Sequence, residues 1–268
     1  MPLERNVTAS TRKIEVAPGV ALAVTVSGAA DGPVVMFSNS LAADQSMWDE
    51  VAGALKDRAR IVTYDTRGHG QSDISGPWTL EQLGKDALAI LDALKIERAI
   101  FVGLSLGGLT GMWLAINKPQ RVAGLVLANT AANFPPASMW LERAEAARAG
   151  GMAQFVNPTL ERWLTTGFRE RETEATGRIA AMIGATAGQG YAGGCEVLAG
   201  GDVLADLAKI SCPTRVIVGA HDPSTPPQRG KEIVERVKGA ELVELDAAHL
   251  SSTEQPAGFT KVIAGLLG

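Results

Sequence analysis

Ala99-Ile100-Phe101-Val102-Gly103-Leu104-Ser105-Leu106-Gly107-Gly108 is the stretch on which the fold turns. Four apolar residues without a polar break lead into G-x-S-x-G, and Gly108 to Ala115 opens a helical pattern behind it. So short and continuous an apolar run reads as a strand buried on both faces. Strand, serine and helix in that order make a nucleophile elbow. Its glycines permit the sharp turn and the close approach of strand and helix, so the hydroxyl stands at the sheet edge. In a chain with 30 glycines the pentapeptide arises by chance about once in six such chains. Its meaning therefore depends on what surrounds it.

Working outward, short apolar runs alternate with helical stretches. The predicted strands are Val34–Phe37, Arg60–Tyr64, Ala99–Val102, Val122–Ala128, Thr214–Val218 and Leu242–Leu245. Between them lie helices such as Leu80–Leu94, with Thr79 as N-cap, and Leu109–Asn117, stopped by Pro119. Before them Val20, Leu22, Val24 and Val26 alternate with small or polar residues. That is a half-exposed antiparallel strand, paired with one near Arg12–Val16 across Pro18-Gly19. The pattern is an α/β fold: a mostly parallel sheet with helices on both faces. The alternation fails between Ala131 and Gly201, which reads as several helices, one of them starting at Asn157-Pro158. Residues 1–130 and 202–268 are expected to form the core and 131–201 a helical cap over the C-terminal edge of the sheet, where open α/β sheets bind ligands. Trp140, Phe155, Trp163 and Phe168 fall in that segment of a chain only 5% aromatic.

The 268 residues are 46% apolar and 20% charged, with a net charge of −4. That is ordinary for a globular protein, and no basic surplus draws nucleic acid or anionic membrane. No apolar run is long enough to span a bilayer. Met1 to Asn6 carry no secretory apolar run. Cys195 and Cys212 are the only cysteines, and neither has a second Cys or a His at metal-ligand spacing. A reducing cytoplasm is the expected location, and the oligomeric state is not legible.

A serine hydroxyl needs a base to attack at neutral pH, and there are three histidines. His69 lies in the glycine-rich Asp65-Thr66-Arg67-Gly68-His69-Gly70-Gln71-Ser72, before the serine, and is expected to serve that turn. His221 abuts Asp222 after the Thr214–Val218 strand, and His249 follows the last strand. On a sheet with this elbow the chain order is nucleophile, acid, base, each at a strand's C-terminal end. Ser105, Asp222 and His249 meet that order. The 27 residues from Asp222 to His249 hold one helix and one strand. His249 would take the Ser105 proton, and Asp222 would fix its tautomer. The oxyanion would be held by two backbone N–H groups. One is Leu106, after the nucleophile; the other is Leu41, in the Ser38–Asp44 loop behind the Val34–Phe37 strand.

These motifs resemble the α/β-hydrolase fold superfamily over nearly the whole chain from Val34, including the Asp65-x-Arg67-Gly68-x-Gly70-x-Ser72 turn and Gly219-Ala220-His221-Asp222. More narrowly the chain resembles the 3-oxoadipate enol-lactonases of the protocatechuate branch of aromatic degradation, in the beta-ketoadipate pathway. Ser38-Asn39-Ser40-Leu41, Met47-Trp48-Asp49, Gly103 to Gly108 and Ala247-Ala248-His249-Leu250-Ser251-Ser252 with Glu254-Gln255-Pro256 carry that resemblance. Ser-Asn-Ser-Leu discriminates best, since most of the superfamily has His-Gly there. Ala42 stands where the family usually has Gly, and Thr253 where an apolar residue is common.

The resemblance implies a serine hydrolase opening a lactone through an acyl-enzyme, with no cofactor and no metal. The substrate is a small lactone bearing a carboxylate, so a cation should face it. Arg143 and Arg162, beside Trp140 and Trp163, are the candidates. Solvated helix faces are the plainer reading of both arginines, and packing within the helical segment that of both tryptophans. The alternatives are a carboxylesterase or carbon–carbon bond hydrolase with another small substrate, and a hydrolase-fold receptor that binds without turnover.

Overall fold

A computed structural model of the chain describes residues 6–268. Met1–Arg5, on which part of the leader reading rests, lie outside the described residues. The strands are β1 (Asn6–Ala17), β2 (Val20–Ala29), β3 (Val34–Ser38), β4 (Arg60–Tyr64), β5 (Ala99–Leu104), β6 (Val122–Ala128), β7 (Thr214–Gly219) and β8 (Glu241–Leu245). They form one sheet of order β1-β2-β4-β3-β5-β6-β7-β8. β2 runs antiparallel to β1 and β4, and all other pairs are parallel.

Burial follows the sequence pattern. β5 is buried at every position, as a strand covered on both faces must be. β8, at the sheet's edge, has no buried residue. Helices α1 (Asp49–Leu55), α2 (Leu80–Ala93) and α3 (Leu106–Asn117) follow in the first half of the chain. Thr79 caps α2, its hydroxyl accepting from Gln82 N. α3 begins three residues before the predicted Leu109, because the elbow turns straight into helix with no intervening loop.

The chain order reverses at β3, which lies between β4 and β5. Loops leaving the C-terminal ends of β3 and β5 therefore part at a topological switch point, where open α/β sheets hold ligands. Ser38 pairs with Gly103, so the predicted oxyanion loop and the serine elbow leave the sheet side by side. A Cβ on Gly107 would lie 2.1 Å from Ser38 O, which explains glycine there.

After β6 come α4 (Ala137–Gly150), α5 (Ala153–Trp163), α6 (Thr166–Arg171), α7 (Thr173–Ala185) and α8 (Gly188–Gly200), with no named strand among them. The two ends of this segment meet at the bridge between Asn133 and Asp202 and at Val203 N donating to Ala132 O. Asn157-Pro158 is not a helix start: α5 begins at Ala153 and Pro158 lies inside it. Burial of Thr159, Leu160 and Trp163 outweighs the local start signal. The chain ends in α9 (Pro227–Arg236), β8, α10 (Ser251–Glu254) and α11 (Pro256–Ala264).

Candidate active site

Ser105 joins β5 to α3 with φ 55° and ψ −112°, a conformation L-residues rarely adopt. Neighbouring backbone holds it there. Ser105 N donates to Ala128 O at 2.9 Å, and Thr130 Oγ1 donates to Ser105 O at 2.7 Å. Gly107 N donates to Asn39 O at 3.0 Å, tying the elbow to the β3 loop.

His249 and Asp222 are both buried, with Nδ1 to Oδ2 2.8 Å. Asp222 Oδ1 accepts from Ser224 N and Thr225 N, and Oδ2 from Thr225 Oγ1 at 2.6 Å and Asn129 Nδ2 at 3.0 Å. Burial works to raise this carboxyl. The charge and hydrogen bond of His249, with the bonds of Thr225 and Asn129, outweigh burial and hold it below the ordinary carboxylate value. The ionised acid thus fixes a proton on Nδ1 and leaves Nε2 free to accept one. No hydrogen bond joins Ser105 Oγ to His249 in this resting arrangement, though both side chains line one cavity. Such contacts commonly close only when substrate binds.

That cavity, of about 50 Å³, is also lined by Leu41, Trp140, Arg143, Arg162, Trp163 and Tyr191. Every residue given a catalytic or substrate-binding role from the sequence, except Asp222 and Leu106, thus borders it, whereas Phe155 and Phe168 do not. Asp222 stands behind His249, and Leu106 is the first residue of α3, where backbone N–H groups have no intrahelical partner. Among the described residues Leu41 N–H has no hydrogen-bond partner. Ser40 keeps a φ that any residue adopts; the left-handed residue of this loop is Ala42, φ 68°.

Arg143 and Arg162 face the cavity rather than a fully solvated helix face. Among the described residues neither pairs with a carboxylate. Arg143 Nη2 donates to Tyr191 OH, and Arg162 Nη2 to Thr159 Oγ1 at 3.4 Å. The Arg143 guanidinium lies 5.2 Å from the Trp140 ring centre and 5.7 Å from that of Tyr191. Burial, then the nearby charge of Arg143, pulls Arg162 below its ordinary pKa. Burial pushes the Tyr191 phenol up to about 12.

Asn129 and Thr225 escaped the sequence reading, and Glu254 entered it only as part of the resemblance, with no role. Asn129 donates to Asp222 Oδ2 and to Ala248 O, and its own Oδ1 accepts from Ser251 Oγ. Thr225 hydrogen-bonds the acid from three residues downstream. Glu254 accepts from Ala248 N, Thr165 N and Thr165 Oγ1, joining the His249 loop to the start of α6. Asn129 follows β6 directly and Thr225 lies in the loop after β7, which was the available signal; Glu254 closes α10, beyond β8.

Residues 33–256 match the profile of the α/β hydrolase fold, and the chain belongs to that family. It is 41% identical over 93% of its length to 3-oxoadipate enol-lactonase 1 of Acinetobacter baylyi, covering 94% of that protein. It is 40% identical to enol-lactonase 2 of the same organism, with 94% of each chain covered. The enol-lactonase structure from Burkholderia xenovorans LB400 superposes with a TM-score of 0.92 at 39% identity, over 96% of this chain and 99% of that one. Among the described residues no helix is long and apolar enough to cross a membrane, and no cluster of metal-ligating side chains occurs.

Proposed function

We propose that this chain hydrolyses 3-oxoadipate enol-lactone to 3-oxoadipate through an acyl-enzyme on Ser105. The observation that carries the reading is one cavity holding a serine elbow, its histidine and two guanidiniums with no carboxylate partner among the described residues. Cations placed so, a few side chains from a nucleophile, fit a compact ester that brings its own carboxylate. The enol-lactonases at about 40% identity over nearly full length support the substrate assignment.

The steps follow from the geometry. His249 Nε2 takes the hydroxyl proton as Ser105 Oγ attacks the lactone carbonyl. The oxyanion is met by Leu41 N–H and by Leu106 N–H at the positive end of α3. Collapse breaks the ring C–O bond and expels an enolate, which the His249 imidazolium reprotonates and which tautomerises to the 3-oxo group. Water, deprotonated by His249, adds to the acyl carbon; Ser105 leaves and regains its proton. Arg143 and Arg162 hold the substrate carboxylate, and Trp140 and Trp163 cover its apolar face.

A site for a small ligand spans about 300 Å³ or more, so the wall must give way to admit the lactone. Residues 131–201 act in this reading as a cap that sets substrate choice.

Loss of enol-lactone absorbance on adding protein tests the assignment, with a panel of lactones and p-nitrophenyl esters alongside. The reading predicts preference for the acid lactone over its methyl ester. Equal turnover of acid and ester would transfer the protein to the general carboxylesterases.

A further inference from the structure

We infer that His69 is a positioning residue for the oxyanion hole, acting through the Leu41–Ala42 peptide. The inference rests on the reading of Ser105 as nucleophile and Leu41 N–H as donor. His69 is 1% exposed and belongs to a turn 36 residues before the nucleophile. Its Nε2 accepts from Ala42 N at 3.1 Å, and its Nδ1 lies 3.1 Å from Arg67 O. An imidazole with Nε2 accepting carries its proton on Nδ1, which donates to that carbonyl. The ring is thus held neutral, in one tautomer, between two backbone groups.

The contact falls on the peptide that follows the donor, at the centre of its turn. Ala43 N donates to Ser40 O, making Ser40–Ala43 a tight turn whose third residue, Ala42, has φ 68°. A positive φ at that place marks the type II form, which favours glycine; alanine prefers the type I form. The two forms differ by a flip of the central peptide, Leu41–Ala42. Its N–H is the group that His69 holds, so His69 selects the form that the alanine disfavours. From the other side, the Thr186 hydroxyl at the end of α7 lies 3.3 Å from Ala42 O and 3.2 Å from Met182 O. Without the Nε2 acceptor the turn relaxes and Leu41, the residue before the peptide, is re-aimed.

His69 is itself fixed. Arg67 is locked on Asp86 by paired bonds of 2.5 and 2.6 Å, and Asp65 accepts from Gln45 N and Gln71 N. The turn thereby carries the position of a buried frame to the oxyanion loop.

The test uses His69→Asn, His69→Gln and His69→Asn/Ala42→Gly. Gln can place an oxygen where Nε2 stood; Asn reaches only as far as Nδ1. Glycine adopts the type II turn without help. Four quantities are measured: kcat and KM on p-nitrophenyl acetate and on the enol-lactone, Ki for phenylboronic acid, and Tm. The boronate forms a tetrahedral adduct on the serine that needs the same donors. His69→Asn should lower kcat roughly 10- to 100-fold on both substrates, with KM little changed. Boronate affinity should fall by the same factor as kcat/KM. His69→Gln should recover most of the loss, and Ala42→Gly should recover part of it in the Asn background. A lowered Tm with unchanged kcat and boronate affinity would make His69 a fold residue and overturn the inference. So would failure of both rescues. Should His69→Asn not fold, ¹⁵N NMR of the wild-type imidazole decides: a protonated Nε2 at neutral pH excludes the acceptor role. If Ser105→Ala stays active and the boronate does not inhibit wild type, the underlying reading of the site falls and the inference with it. A dead Ser105→Ala beside an unaffected His69→Asn removes the inference alone.

Discussion

Arg67 and Arg143 belong to two regions that treat the same side chain in opposite ways. Arg67, under the sheet-edge loops, is 1% exposed and gives two bonds to Asp86 and a third to Ser75 O. Arg143, on α4, faces the cavity with aromatic rings around it and no carboxylate partner among the described residues; its buried Nε has no partner at all. A buried charge costs several kcal/mol unless paired. The first arginine is neutralised by the fold and holds a frame. The second has a phenol and ring faces around it, and the proposed function gives its charge to the substrate carboxylate. The loops at the ends of β3, β5, β7 and β8 are bound by buried hydrogen bonds, while the helical segment carries two of the three exposed large apolar residues among those described, Met139 and Leu141; the third, Ile74, follows β4.

Mutations can break that comparison, and the largest effects belong to the sheet edge. Ser105→Ala should lower kcat by roughly a million-fold with the fold intact, and adding His249→Ala should cost little more, because the pair acts as a unit. Additive losses in the double variant would separate them. Asp222→Asn should cost about 10⁴-fold in kcat, the asparagine favouring the wrong imidazole tautomer; a loss below tenfold would deny Asp222 its role.

The two arginines give the sharpest contrast. Asp86→Asn removes the counter-charge and one of the three acceptors of buried Arg67, so unfolding free energy should fall by about 3–5 kcal/mol in denaturant titrations. Arg143→Ala should leave stability nearly unchanged. It should cut kcat/KM on the acid lactone by roughly 10- to 100-fold, equivalent to about 1.4–2.8 kcal/mol, and spare an uncharged ester. Equal losses on both substrates would make Arg143 a packing residue.

The smallest effect concerns pH. Burial depresses the His69 pKa from 6.5, against the weaker upward pulls of its bond to Arg67 O and the charge of Asp44. The unfolded chain therefore binds a proton more readily than the folded one. The stability that neutral His69 contributes is present above pH 6.5 and is lost as pH falls below it. Between pH 7.5 and 5, Tm should fall more steeply for wild type than for His69→Gln, which cannot titrate. Parallel Tm profiles would show that His69 does not contribute to that slope.

Much of this architecture was legible in the sequence, for local reasons. A strand buried on both faces must be continuously apolar, which marks β5; with the alternation of helices around them, β4 and β6 were readable to the residue, and β3, β5, β7 and the unburied edge strand β8 to within two. The elbow needs small residues at fixed spacing, and a nucleophile–acid–base order along successive strand ends picks Ser105, Asp222 and His249 as candidates from few possibilities. Only the tertiary structure decided the rest. Arg143 and Arg162 read as solvated because a charge on a helix usually is; the packing of α4, α5 and α8 turns them inward. Pro158 reads as a helix start because local rules do not know that Leu160 and Trp163 are to be buried. Asn129 meets Asp222 from 93 residues away, and His69 meets Ala42 from 27. A periodicity reports which face of an element is buried. Contacts between elements come from the order of strands in the sheet: β6 beside β7 brings Asn129 to Asp222, and β3 beside β4 brings Ala42 to His69.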